Sequence, residues 1–215
     1  MRLLTYRSLI PLLSGVLLFS ASCSGGSTVP TFEADQPSTL PSYWLTHVDE
    51  AAGFEISHPP DWLVRDLDRS AVEELLEAMR ADEPSYGGNV YAAGTNPNVV
   101  VDIAALSDMT LDSYAELVSE TGVQLAPSWE LIRQTKEDIG DHEAVLLLSS
   151  FDVSDREPSA EGLRAWELQL AILAPMKTVW IVNCFTAAQT ASDAEDAIAT
   201  CESVVRSFKL DAPVT

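Results

Sequence analysis

Hydrophobic residues recur with two periods along this chain, and the switch between them marks out the elements. In the last third, residues 163–174 and 178–185 are apolar runs separated only by Pro175, Met176 and Lys177. So short a link can only reverse the chain, which predicts an antiparallel pair. Along the first run Trp166, Leu168, Leu170 and Ile172 fall on one side, and Ala165, Ala171 and Leu173 on the other. A sheet with one wet face would alternate cleanly; this one needs cover on both faces. A helical stripe follows: Ala194, Ala197, Ile198, Cys201, Val204, Val205 and Phe208, with Ser192 and Glu195 as the expected cap.

Earlier segments repeat the theme. Trp44 to Val48 fits a leading strand or a short helix. Phe54 and Ile56 alternate with polar neighbours as in a strand, and Pro59 and Pro60 end the pairing. Ser70 and Glu73 form a capping box for a helix with the stripe Val72, Leu75, Leu76 and Met79. Strands are expected at 89–93 and 99–106 around a Gly-Asn-Pro turn. Thr110 caps a helix with the stripe Leu111, Tyr114, Leu117 and Val118, which Gly122 is expected to stop. Strands 129–139 and 143–151 then pair across Gly140 and Asp141. The order predicts an α+β fold: a three-layer α/β/α sandwich with a central antiparallel sheet of six or seven strands and about three helices.

At 215 residues and 47% apolar, the chain suits one sizeable domain with extensions. Residues 1–22 stand apart from it. Arg2 and Arg7 precede an apolar stretch, residues 9–19, too short to span a bilayer, and Ser20, Ala21 and Ser22 lead into Cys23. That order resembles a bacterial lipoprotein signal, with Cys23 lipidated as the mature N-terminus, although Ser20 stands where Leu is usual; an ordinary secretory signal is the alternative. Ser24, where an inner-membrane retention Asp would sit, points outward in a two-membrane cell. The expected address is extracytoplasmic, anchored to the cell membrane or outer membrane. Residues 23–42, rich in Gly, Pro, Ser and Thr, read as a flexible tether of roughly 25 Å. Residues 43–210 are the domain and 211–215 a tail.

Loss of Arg2 and Arg7 would leave 10 basic against 33 acidic residues, a charge of −23. Such an excess disfavours nucleic acid and anionic lipid and favours basic or neutral partners, or serves solubility alone. With Cys23 on lipid, Cys184 and Cys201 remain. Their strand and helix faces can pack together, as a disulfide in an oxidising compartment or as two buried thiols.

The chain resembles the PsbP-like fold family, nearest in kind to bacterial lipoproteins of the DcrB and LpqN types. The residues carrying this are Gly53 and Phe54 followed by Pro59, Pro60 and Trp62; Leu111 with Tyr114; the Gly140 hairpin before a long apolar strand; and Ser207-Phe208. The resemblance implies a domain that binds proteins or assists membrane complexes without catalysis. An envelope or membrane protein is the expected partner, and a monomer is expected rather than an oligomer.

Catalytic motifs are sparse. His47, His58 and His142 have no metal-ligand spacing, and His58, before two prolines, reads as a surface residue. The chain carries no Gly-x-Ser-x-Gly elbow, phosphate loop or dinucleotide fingerprint, so no enzyme and no cofactor are expected. Asp152, Asp155, Glu157 and Glu161 crowd one loop and offer hard oxygen ligands for calcium, against the reading of a solvated hairpin tip. Asp66, Asp68, Glu73 and Glu74 read as helix N-terminal charge. Trp62, Trp129, Trp166 and Trp180 are expected in the core. The expected role is an exported, lipid-anchored binding domain; the alternative is a solute- or calcium-binding lipoprotein.

Overall fold

The computed structural model describes residues 40–65, 67, 70, 73, 77, 88–105, 109–174 and 178–210. Its strands are β1 (Leu45–Asp49), β2 (Phe54–His58), β3 (Gly88–Gly94), β4 (Asn98–Ala105), β5 (Glu130–Ile139), β6 (His142–Asp152), β7 (Arg164–Ala174), β8 (Thr178–Ala188) and β9 (Lys209–Leu210). The helices are α1 (Leu111–Leu125) and α2 (Ala191–Arg206). Ser70, Glu73 and Glu77 are also helical. The stripe expected around them, Cys23 with its leader, and the tail lie outside the described residues.

Among the described residues two antiparallel sheets form, one in the order β3-β4-β8-β7-β6-β5 and one in the order β1-β2-β9. The expected single sheet is therefore divided, and two complete helices rather than three occur among the described residues. The leading segment resolves as a strand, Leu45 pairing with His58 and Asp49 with Phe54. β9 is two residues long, too short to leave a pattern in sequence, yet it closes the small sheet against Phe54 and Glu55.

The long hairpin behaves as its pattern requires. Trp166, Leu168, Leu170 and Ile172 share one buried cluster with Ile198, Cys201, Val204, Val205 and Phe208 around α2. The alternate residues Ala171 and Leu173 pack instead with Leu111, Tyr114 and Ala115 of α1. Since successive strand residues point to opposite faces, the two helices serve opposite faces of β7. The small sheet adds Phe54 and Ile56 to the α2 side, where Phe54 stacks on Phe208 at 5.5 Å. Ser207 explains the Ser-Phe signature physically. Its hydroxyl accepts from the Ser57 amide at 2.8 Å, tying β2 to the end of α2 while Phe208 enters the core.

Two helix boundaries differ from expectation. α1 does not stop at Gly122 but runs through it to Leu125. A Cβ at that position would lie 2.5 Å from the Trp129 indole, so the glycine admits a ring. α2 is capped by Thr190, whose side chain accepts from the Asp193 amide at 3.2 Å, rather than by Ser192. Gly140, at φ 60°, supplies the left-handed turn between β5 and β6.

Candidate functional site

On the α2 side, β8 buries Trp180, Val182 and Cys184 side by side, and α2 presents Cys201. The two cysteines are joined in a disulfide with Cα atoms 5.4 Å apart, both buried.

The α1 side carries something the strand patterns hid. Gln169 of β7 lies directly opposite Asn183 of β8, which is opposite Val100 of β4. One step along, Glu167 faces Phe185 and Ser149. One step the other way stands Asp102, between Ile181 and Asn89. Each polar group interrupts an apolar strand at the same parity, so they form a band across the sheet beneath α1. The band is wired. Tyr114 donates to Gln169 Oε1 at 2.7 Å, Gln169 Nε2 donates to Asn183 Oδ1 at 2.6 Å, and Asn183 donates to Asp102.

Asp102 is 8% exposed and its Oδ1 has no hydrogen-bond partner among the described residues. Burial pushes its pKa up to about 6, against the lowering effect of Asn183 and with a smaller upward push from Glu167. Burial also raises Glu167, tempered by Arg156, whose guanidinium sits 4.0 Å over the Phe151 ring. Tyr114 is raised well above its ordinary value by burial, then by Glu167 and Asp102. Two carboxyls, two amides and a phenol can store a proton in mildly acid solution. They assemble no nucleophile–base pair.

Beside this band, α1 and β5 frame an open cleft of about 430 Å³ lined by Asp112, Ala115, Glu116, Ser119, Glu120 and Gln134. Lys136 of β5 reaches Asp112 at 2.7 Å. On the other face of β5, Arg133 pairs with Glu202 at 3.2 Å and Glu137 with Arg206 at 3.3 Å, tying the strand to α2.

The residues expected to carry chemistry are dispersed. Asp152 pairs with Arg164 at 3.0 Å. Asp155 accepts from the Ser128 amide at 2.8 Å, and Ser128 holds its pKa below the usual carboxylate range. Glu157 is likewise lowered by Ser159. Glu161 is exposed. The loop thus spends these acids one at a time, and among the described residues no group of three His, Cys, Asp or Glu is arranged for a metal.

His58 is buried rather than superficial. It shares parity with Phe54 and Ile56, which turns it inward, and its Nδ1–H donates to the Pro59 carbonyl at 2.8 Å. His47 packs 4.6 Å from the Tyr91 ring. His142 opens β6. Trp166 and Trp180 are buried, and Trp62 and Trp129 are partly so. Sequence reasoning missed Asp102, Glu167, Gln169 and Asn183. The signal was present as polar breaks in apolar strands, but it needed the strand register to converge.

No protein-family model and no curated protein sequence matches the chain. Solved structures do resemble it. Cyanobacterial PsbP (CyanoP) from Synechocystis overlays with a TM-score of 0.51 at 13% identity, over 82% of this chain and 97% of that one. LpqN, involved in cell envelope biogenesis of Mycobacterium tuberculosis, gives 0.47 at 11% identity over 74% and 83%. The Saccharomyces cerevisiae Ran-binding protein Mog1p gives 0.47 at 13% over 78% and 95%. The first of these shows a PsbP-like fold; identity this low speaks to fold alone.

Proposed function

We propose that this chain is an exported, lipid-anchored, non-catalytic domain that binds a protein partner at the cell envelope. The observation that carries the reading is the Cys184–Cys201 disulfide inside a PsbP-like fold. Disulfides form and persist outside the reducing cytosol. A leader ending Ser20-Ala21-Ser22-Cys23 supplies the matching route, and Cys23 the anchor. The architecture is read as three layers, α1 and α2 flanking the six-stranded sheet and the small sheet sharing the α2 layer. No helix among the described residues is long and apolar enough to cross a membrane; the anchor in this reading is the lipid on Cys23.

The test is the intact mass of the full-length gene product recovered from membranes, with fractionation. A chain beginning at Cys23 with a diacylglyceryl adduct is expected, and Cys23→Ala should release it from the membrane fraction. A cytosolic product still beginning at Met1 would overturn the reading.

A further inference from the structure

We propose that β5 is a docking edge for an extended, basic segment of a protein partner, which adds a strand beyond β5 and lays its lysine or arginine side chains along the acidic row of α1. The proposal rests on the binding reading above and names the surface and the chemistry of the partner.

The two edges of the large sheet differ. At β3, Val64 bridges Ala93, the Arg65 amide donates to Ala92 at 2.8 Å, and the Gly94 amide donates to Leu63 at 3.1 Å. That edge is occupied. β5 closes the strand order at the other end with no strand beyond it among the described residues. It is ten residues long and pairs regularly with β6 from Arg133 to Ile139, its one irregularity lying between Leu131 and Arg133. An open edge of that length templates another strand unless charges guard it. Here the guards are drawn back onto the molecule itself: Glu130 to Arg164, Arg133 to Glu202, Lys136 to Asp112 and Glu137 to Arg206.

The neighbouring helix selects the occupant by charge. α1 runs alongside β5, because Lys136 meets Asp112 near the helix start and Trp129, just before β5, covers Gly122 near its end. Along that flank Asp112, Glu116 and Glu120 recur every four residues, a rise of about 6 Å per step. Alternate side chains of an added strand repeat at about 6.7 Å. A basic residue at every second position therefore stays near the acidic row over two or three contacts. Lys136 already shows the mode, being a strand lysine that reaches this row. Glu116 and Glu120 have no basic partner among the described residues. The chain's formal charge of −21 favours the same occupant at longer range.

The probe is a ten-residue peptide alternating lysine with threonine and valine, titrated by fluorescence anisotropy against the full-length chain in detergent. Saturable binding is expected, with amides of residues 133–139 gaining protection from hydrogen exchange. Glu116→Gln with Glu120→Gln, both on the exposed flank, should leave the circular dichroism unchanged and weaken binding about tenfold. N-methylating alternate peptide amides keeps every charge but removes the strand donors, and should abolish binding. Equal affinity for the methylated peptide, no protection at 133–139, or no binding would each overturn the proposal. Cross-linking in membranes separates this failure from that of the broader reading. A native partner captured alike by the wild type and the double variant overturns the edge and leaves the binding function standing. Peptide bound at the edge with no native partner captured supports the edge and tells against the function.

Discussion

On the α2 face of the six-stranded sheet the central positions are Val99, Val101, Leu146, Leu148, Leu168, Leu170, Val182 and Cys184, all buried and apolar. On the α1 face the same strands carry Asp102, Glu167, Gln169 and Asn183 among the aliphatics. The centre of the first face is dry and cross-linked, so its contribution to stability has no reason to follow pH; its ionisable groups, Arg133, Glu137, Glu202 and Arg206, sit at the β5 edge. The second holds carboxyls whose burial is unfavourable while they are ionised. One sheet thus joins a fixed half to a half tuned by protons, and its stability should divide accordingly.

The largest expected effect lies on the fixed face. Cys184→Ala with Cys201→Ala opens a loop with a sequence separation of 17, and should lower unfolding free energy by about 3 kcal/mol, a loss visible in urea melts. That loss should be the same at pH 5 and pH 8. A deficit that changed with pH would mean the two faces are coupled and the division fails.

What sequence revealed of this division was the dry half. The periods of β7, β8 and α2 are strong, and the parity that puts Cys184 beside Val182 also predicts that Cys201 can meet it. The wet half was hidden for a reason that is equally physical. Glu167 and Gln169 look like isolated interruptions until register sets Gln169 opposite Asn183, and register is a property of paired strands. Gly122 misled in the same way. A glycine near a helix end reads as a stop, while its actual neighbour is the Trp129 ring, a contact visible only after the chain turns back. His58 could have been placed from its parity with Phe54 and Ile56, had the two prolines after it not suggested a surface bend.

The tuned face gives the next effect. Asp102 has a folded pKa of about 6, raised from an unfolded value near 3.9. Between those values the folded chain binds more protons than the unfolded chain, so this group's contribution to stability falls as pH rises from about 4 to about 6. At neutral pH the whole penalty is present, with a ceiling near 3 kcal/mol for a two-unit gap. Asp102→Asn should therefore stabilise the fold by about 2 kcal/mol at pH 7.5 and have little effect at pH 4. Glu167 on the same face, and Glu137 at the β5 edge of the other, are raised as well and act in the same direction, so the readout is the difference between variant and wild type across the pH series. A difference that stays constant with pH would remove Asp102 from the account.

The finest test sets two buried tyrosines against each other, one on each face. Tyr114, under α1, donates to Gln169 at 2.7 Å and so begins the chain of hydrogen bonds that ends on Asp102. Tyr91, beside Phe54 and His47 on the other face, buries a hydroxyl with no partner among the described residues. Removing a bonded hydroxyl strands its acceptor, whereas removing an unbonded one ends a desolvation penalty. Tyr114→Phe should cost about 1 kcal/mol, and Tyr91→Phe should be neutral or slightly stabilising. Both changes delete the same atom from the same kind of ring at the same depth, so urea midpoints compare the two environments directly. Equal losses at both positions would show that the hydroxyls matter only for packing, and the polar band would then lose its claim to act as a network.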